Sequence, residues 1–244
     1  MKVHVEKSGD KTALPIIFIH GAGGSAATWI MQLRGLTDEF HVIAIELNGH
    51  GKSPDRKGYD VTNSYLEDID QIVNDYSNPI LAGHSMGGML TQLYALQNSK
   101  KIRGIILVGT GAKLRVMPSI FEMLENDFEN YVQAVGNFMF HEGASPEMIE
   151  ASKVEVRKGR PEIISRDFRA CDNFDIMDQV SEIATPTLII VGRDDLMTPI
   201  KYSQYLHDQI KDSTLKIIES AGHSVMLEQS RAFNNAVKEW LKQL

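Results

Sequence analysis

The chain has 244 residues, 43% of them hydrophobic, enough to bury a sizeable core as one domain with room for an inserted subdomain. Its 32 acidic residues outnumber 25 basic ones for a net charge of −7, which argues against a nucleic-acid-binding surface or an anionic membrane face, since both need basic patches. A single cysteine, Cys171, excludes an intramolecular disulfide and any cysteine-based zinc site; no run reaches 18 apolar residues and the opening MKVHVEKSGD lacks a signal-peptide core, so a cytoplasmic protein without membrane insertion is expected.

In chain order, short apolar runs alternate with amphipathic stretches. Residues 3–6 and 15–20 read as strands, followed by HVIAI at 41–45. Across 62–76, Tyr65, Ile69, Ile72 and Tyr76 fall on one helical face, with Thr62 as the expected N-cap. Further strands are expected at 79–83, 102–108, 185–192 and 214–220. These runs are continuously apolar and rich in β-branched residues, as strands buried on both faces of a parallel sheet must be. The final stretch, LEQSRAFNNAVKEWLKQL, places Phe233, Val237, Trp240, Leu241 and Leu244 on one helical stripe. Strand and helix repeated in this way predict an α/β fold with a doubly wound, mostly parallel sheet.

One stretch breaks the rhythm. Residues 112–184 show helical patterns punctuated by Pro118, Pro146 and Pro161, and hold six of the nine phenylalanines and five of the eleven methionines. A helical insertion that packs on the main domain accounts for this; so does a cap lining an apolar pocket. The expected division is a core of 1–111 and 185–244 with a cap at 112–184. The basic cluster Arg157, Lys158 and Arg160 reads as a solvated helix end.

Residues 82–89 read AGHSMGGM, a serine among glycines directly after an apolar run. The pattern Gly83-x-Ser85-x-Gly87 is that of a nucleophile elbow, in which a sharp strand-to-helix turn exposes the serine hydroxyl. Four other signals follow expected strands: HGAGGS (20–25), ELNGHGKS (46–53), VGRDDLMTP (191–199) and ESAGHSVMLE (219–228). In an open parallel sheet, sites form outside the carboxyl ends of the strands, so all five gather on one rim. Ser85 alone among Ser25, Ser53 and Ser85 has the elbow context. Among the histidines, His207 lies in a helical pattern and His20, His50 and His84 sit in glycine loops that suit backbone bonding, whereas His223 follows the last strand. The carboxylate is Asp194 or Asp195. A phosphate-binding reading of GHGKS fails because Glu46 stands where that motif needs glycine.

These motifs resemble those of the α/β-hydrolase fold family, in its capped, esterase-like group, over nearly the whole chain. The resemblance implies a Ser85–Asp195–His223 triad, with Asp195 chosen by its spacing from Gly192 and Pro199. It also implies an oxyanion hole from the backbone N–H groups of Ala22 and Met86, and no cofactor or metal. The expected activity is hydrolysis of carboxylic esters with short or medium apolar acyl chains, the partner being a small-molecule ester. The same triad also serves carbon–carbon bond hydrolysis, thioester hydrolysis or cofactor-free perhydrolysis, and some relatives are slow-turnover receptors. One strand before Pro15, where many relatives have two, predicts a trimmed sheet edge.

Overall fold

A computed structural model describes residues 2–56 and 60–244. Among them, seven strands form one sheet: β1 (Val5–Ser8), β2 (Leu14–Ile19), β3 (Phe40–Ile45), β4 (Ile80–His84), β5 (Gly104–Val108), β6 (Thr187–Gly192) and β7 (Ser213–Ile218). Their order is β1-β3-β2-β4-β5-β6-β7, parallel throughout except that β1 runs antiparallel to β3 at the edge. Every residue of β3, β4, β5 and β6 is buried, as their apolar runs require.

Alternation across the pleat feeds two cores. Ile17, Ile43, Leu81, Ile105 and Ile189 face one, beneath helices α2 (Val61–Val73), α3 (Met86–Asn98) and α8 (Ile200–Gln209). Phe18, Val42, Ala82, Ile106 and Ile190 face the other, with Trp29 and helix α10 (Ser230–Leu241). The final helix buries Phe233, Val237, Trp240 and Leu241 as the stripe predicts, while Leu244 lies beyond its end. Two single-turn helices, α1 (Gln32–Gly35) and α9 (Val225–Glu228), complete that layer.

Between β5 and β6 the chain forms α4 (Pro118–Asn126), α5 (Phe128–Met139), α6 (Pro146–Arg157) and α7 (Pro161–Asp172). Three of the four begin on proline, whose missing N–H costs nothing at a first helical position. Their shared faces make a third apolar cluster from Ile120, Leu124, Tyr131, Val135, Phe140, Ile164 and Phe168, packed against Ala22 and Met197 of the core loops. The basic cluster closes α6, where Arg157 pairs with Glu129 at 2.6 Å and Lys158 with Glu155 at 2.6 Å.

One cap differs from expectation. Helix α2 starts at Val61, and its N-cap is Asp60, not Thr62: the Asp60 carboxylate accepts from Asn63 N–H at 3.2 Å. A carboxylate there also meets the positive end of the helix dipole, which a threonine would not.

Candidate active site

The turn from β4 into α3 places Ser85 at φ 52°, ψ −112°. A non-glycine residue at positive φ is strained by roughly 1–3 kcal/mol and persists only where its surroundings fix it. Here the Ser85 N–H donates to Val108 O at 2.9 Å, and its carbonyl accepts from Thr110 Oγ1 at 2.9 Å and Met89 N–H at 3.0 Å. The glycines serve a different purpose. A Cβ on Gly83 would lie 2.1 Å from Gly87 O, and one on Gly87 would lie 2.4 Å from Ile19 O. They let backbone approach backbone while the serine itself takes the left-handed turn.

His223 follows β7 and is buried, its Nδ1 lying 2.9 Å from Asp195 Oδ2. That contact puts the ring proton on Nδ1 and leaves Nε2 as the basic nitrogen, with no hydrogen bond to it among the described residues. Asp195 lies just past β6 in a tight turn: its Oδ1 accepts from Met197 N–H at 2.9 Å and Thr198 N–H at 2.8 Å, and its Oδ2 from Thr198 Oγ1 at 2.8 Å. Burial pushes the carboxyl up, but His223 and the Thr198 donors outweigh it and hold Asp195 below the usual carboxylate range. The His223 carbonyl accepts from His84 Nε2 at 3.0 Å, and burial and then His223 itself keep His84 neutral by lowering its pKa well below the ordinary value.

Across from this pair lies the loop after β2. The carbonyl of Gly21 accepts from His20 Nδ1 at 2.8 Å and Gly24 N–H at 3.0 Å, which fixes the peptide that carries the Ala22 N–H. His20 Nε2 accepts from Leu47 N–H at 3.2 Å, and burial lowers its pKa to about 3, so it is a neutral strut. Ala22, Ser85 and His223 open on one cavity of about 120 Å³. Its walls are mainly apolar, with Tyr131, Val135, Phe138 and Met139 from α5, Phe168 from α7 and Met226 from α9. Met86 N–H opens the first turn of α3, where a backbone donor has no intrahelical partner.

The structure thus brings Ser85, Asp195, His223 and Ala22 to one rim, with Met86 directly behind Ser85. Ser53 is elsewhere, tying Glu46 O at 2.6 Å to His4 N–H at 2.8 Å, and Ser25 caps a short turn through Ala27 N–H at 3.2 Å. His207 is half-buried on α8, its Nδ1 2.9 Å from Ser213 Oγ. Asp194 pairs not with His223 but with His141, whose Nδ1 lies 2.9 Å from Asp194 Oδ2. Several supporting groups escape a reading of the sequence. Thr198 is one. Glu228 is another: its carboxylate accepts from Gly222 N–H at 2.8 Å and His141 N–H at 2.7 Å, tying the segment after α5 to the His223 loop. Only Asp195 itself carries any local signal, as the first residue of an Asx turn that closes on Met197 N–H two residues on.

Sheet order, elbow and insertion point put the chain in the α/β-hydrolase fold. More narrowly, it belongs to the Hydrolase_4 family, described as serine aminopeptidase, S33, whose family model matches residues 10–230. A RutD protein of Rhizobium rhizogenes, named for carbamate hydrolysis, is 28% identical over 94% of this chain and 93% of its own length. The 3-oxoadipate enol-lactonase 2 of Acinetobacter baylyi is 27% identical over 96% of this chain and 90% of its own. Among solved structures, a thermophilic esterase superposes with a TM-score of 0.86 at 30% identity, covering 98% of each chain. A thermophilic esterase from Thermogutta terrifontis gives 0.89 at 25% identity, covering 99% of this chain and 93% of its own. The protein is a hydrolase of this fold, and its homologues point to a small-molecule substrate. Among the described residues, no helix is long and apolar enough to cross a membrane.

Proposed function

We propose that this protein hydrolyses carboxylic esters with short apolar acyl groups, through an acyl-enzyme on Ser85. The observation that carries this reading is that Ser85 and His223 open on one apolar cavity while Asp195 stands buried behind the imidazole. His223 Nε2 takes the Ser85 proton as the oxygen attacks the ester carbonyl, and Asp195 stabilises the resulting imidazolium. The tetrahedral oxyanion is held by the N–H groups of Ala22 and Met86, the latter at the positive end of α3. The imidazolium then protonates the leaving alcohol. In the second half, His223 removes a proton from water, whose oxygen attacks the acyl carbon; as the acyl C–O bond to Ser85 breaks, the imidazolium returns that proton to the Ser85 oxygen and the acid leaves.

Helices α4–α7 act in this reading as the cap that forms the acyl wall. An apolar cavity of about 150 Å³ holds a six-carbon ring, so one of about 120 Å³ suits an acyl chain of about four or five carbons. The names of the esterase and enol-lactonase relatives support ester chemistry, a lactone being a cyclic ester. Turnover of p-nitrophenyl esters from acetate to dodecanoate tests the proposal. A maximum of kcat/KM near butyrate is expected. A preference for long chains would overturn the acyl assignment, and a single acylation event without turnover would favour a receptor over an enzyme.

A further inference from the structure

Helix α7 of the insertion carries a carboxylate, Asp167, that has no exposed surface and no place in the chemistry above. Three donors converge on it. Oδ2 accepts from Gly23 N–H at 2.9 Å and from His50 Nε2 at 2.7 Å, and Oδ1 accepts from the Tyr65 hydroxyl at 2.5 Å. Gly23 N–H and the Tyr65 hydroxyl donate one to each oxygen, which favours the ionised carboxyl. The other ring nitrogen of His50, Nδ1, faces Asn48 O at 3.2 Å. A neutral imidazole has one N–H, but here both nitrogens face acceptors, so His50 carries both protons and is a buried cation.

Of the charged groups beside the pair, Arg166 favours an ionised Asp167 and opposes the charge on His50, but the adjacent carboxylate outweighs it. Arg166 donates through Nη2 to the Tyr65 hydroxyl at 2.9 Å and Asn48 O at 3.1 Å, and through Nη1 to Asp55 at 2.8 Å. The His20 ring lies 4.6 Å from that of His50 but is neutral. Asp167 thus joins the insertion to the loop after β3, to α2, and to the loop after β2.

The contact with Gly23 has a mechanistic meaning. Gly23 sits at φ 65°, and its N–H belongs to the peptide directly after Ala22. His20 holds the peptide before Ala22, and Asp167 holds the one after it. We propose that Asp167, as the anionic member of a buried pair with His50, is a positioning residue that aims the Ala22 N–H, so that the seating of α7 sets the geometry of the oxyanion hole. This rests on the reading of Ser85 and Ala22 given above. A misaimed donor weakens binding of the tetrahedral oxyanion more than binding of the planar ester, so its loss is felt in kcat rather than KM.

The test compares wild-type protein with Asp167→Asn and His50→Gln, counting active sites with a fluorophosphonate and measuring p-nitrophenyl butyrate turnover per titrated site. Affinity for a short alkyl trifluoromethyl ketone, which takes the Ser85 oxygen and mimics the oxyanion, is measured alongside. For Asp167→Asn, kcat per titrated site is expected to fall by about 10- to 100-fold with KM within about threefold, and ketone affinity to fall in step. His50→Gln keeps a neutral donor to Asp167 and is expected to show a smaller loss of the same kind; it decides the matter if Asp167→Asn does not fold. Full kcat per titrated site in a folded variant, with only the melting temperature lowered, would make the cluster a structural staple and overturn the proposal. Labelling that survives Ser85→Ala would remove both this proposal and the triad reading; unchanged kcat in Asp167→Asn with labelling confined to Ser85 removes this one alone.

Discussion

Asp194 and Asp195 are neighbours in sequence that serve different histidines: Asp194 Oδ2 lies 2.9 Å from His141 Nδ1, and Asp195 Oδ2 lies 2.9 Å from His223 Nδ1. The first pair is partly exposed and bridges the insertion to the core, whereas the second is buried. Two substitutions one residue apart therefore test the proposed triad carboxylate against a contact between the insertion and the core. Asp195→Asn is expected to lower kcat/KM by about 10⁴ by favouring the wrong imidazole tautomer. Asp194→Asn removes the same charge but is expected to cost within about tenfold, or about 1.4 kcal/mol. Kinetics on one ester, with thermal melts as a control for folding, decide between them. If Asp194→Asn were the more damaging, the triad carboxylate would be misassigned.

Thr198 offers a finer probe of the same turn. Its hydroxyl donates to Asp195 Oδ2, the oxygen that also faces His223. Thr198→Val keeps the shape and removes that bond, so kcat is expected to fall about 3- to 10-fold, consistent with loss of about 1 kcal/mol from one hydrogen bond. A variant with unchanged kcat and pH profile would show that the backbone donors of Met197 and Thr198 suffice.

Fluorophosphonate labelling is expected on Ser85 and to disappear in Ser85→Ala. Cys171 is expected to stay unlabelled by iodoacetamide in the folded protein, because it lies in the core cluster and burial pushes its thiol well above the usual range. Cys171→Ala should keep its activity. Intact-mass measurement before and after each reagent reads both outcomes, and loss of activity in a folded Cys171→Ala would assign that thiol a role.

The Asp167–His50 pair also links stability to pH. Burial opposes charge on each, but their mutual attraction wins, lowering Asp167 from its ordinary 3.8 and raising His50 from its ordinary 6.5. The contribution of Asp167 is present above pH 3.8 and is lost as pH falls through its depressed folded value. That of His50 is complete below pH 6.5 and is lost as pH rises through its elevated folded value. The melting-temperature gap between wild type and His50→Gln should therefore be widest between those limits and narrow towards alkaline pH. A gap that widened with rising pH would mean that His50 is neutral.

The elbow glycines give a packing prediction. Because a Cβ on Gly83 would lie 2.1 Å from Gly87 O, a contact between backbones that cannot swing aside, Gly83→Ala is expected to destabilise the fold by about 3 kcal/mol or more. Chemical denaturation measures it; a loss below about 1 kcal/mol would show that the turn can open.

Much of this molecule is legible in its sequence because the signals are local. Continuous apolar runs between amphipathic stretches specify a covered parallel sheet, and six of the seven strands run parallel at nearly the expected places. The elbow glycines and the motifs that carry Ser85, Asp195 and His223 each lie within a short window. What the sequence leaves open is set by partners distant in the chain. The choice between Asp194 and Asp195 is one case: family spacing selects Asp195, but only the tertiary structure sets the two carboxylates against different histidines, His141 on the segment after α5 and His223 after β7, each distant in the chain. The Asp60 cap is another, because a helix start is only as definite as the first turn that closes. Asp167 is the clearest. In sequence it is one acidic residue on an amphipathic helix, where a solvated face is the natural expectation. Only the tertiary structure sets its carboxylate against Gly23, His50 and Tyr65, from positions more than a hundred residues away, and supplies the positive charge that a buried anion needs.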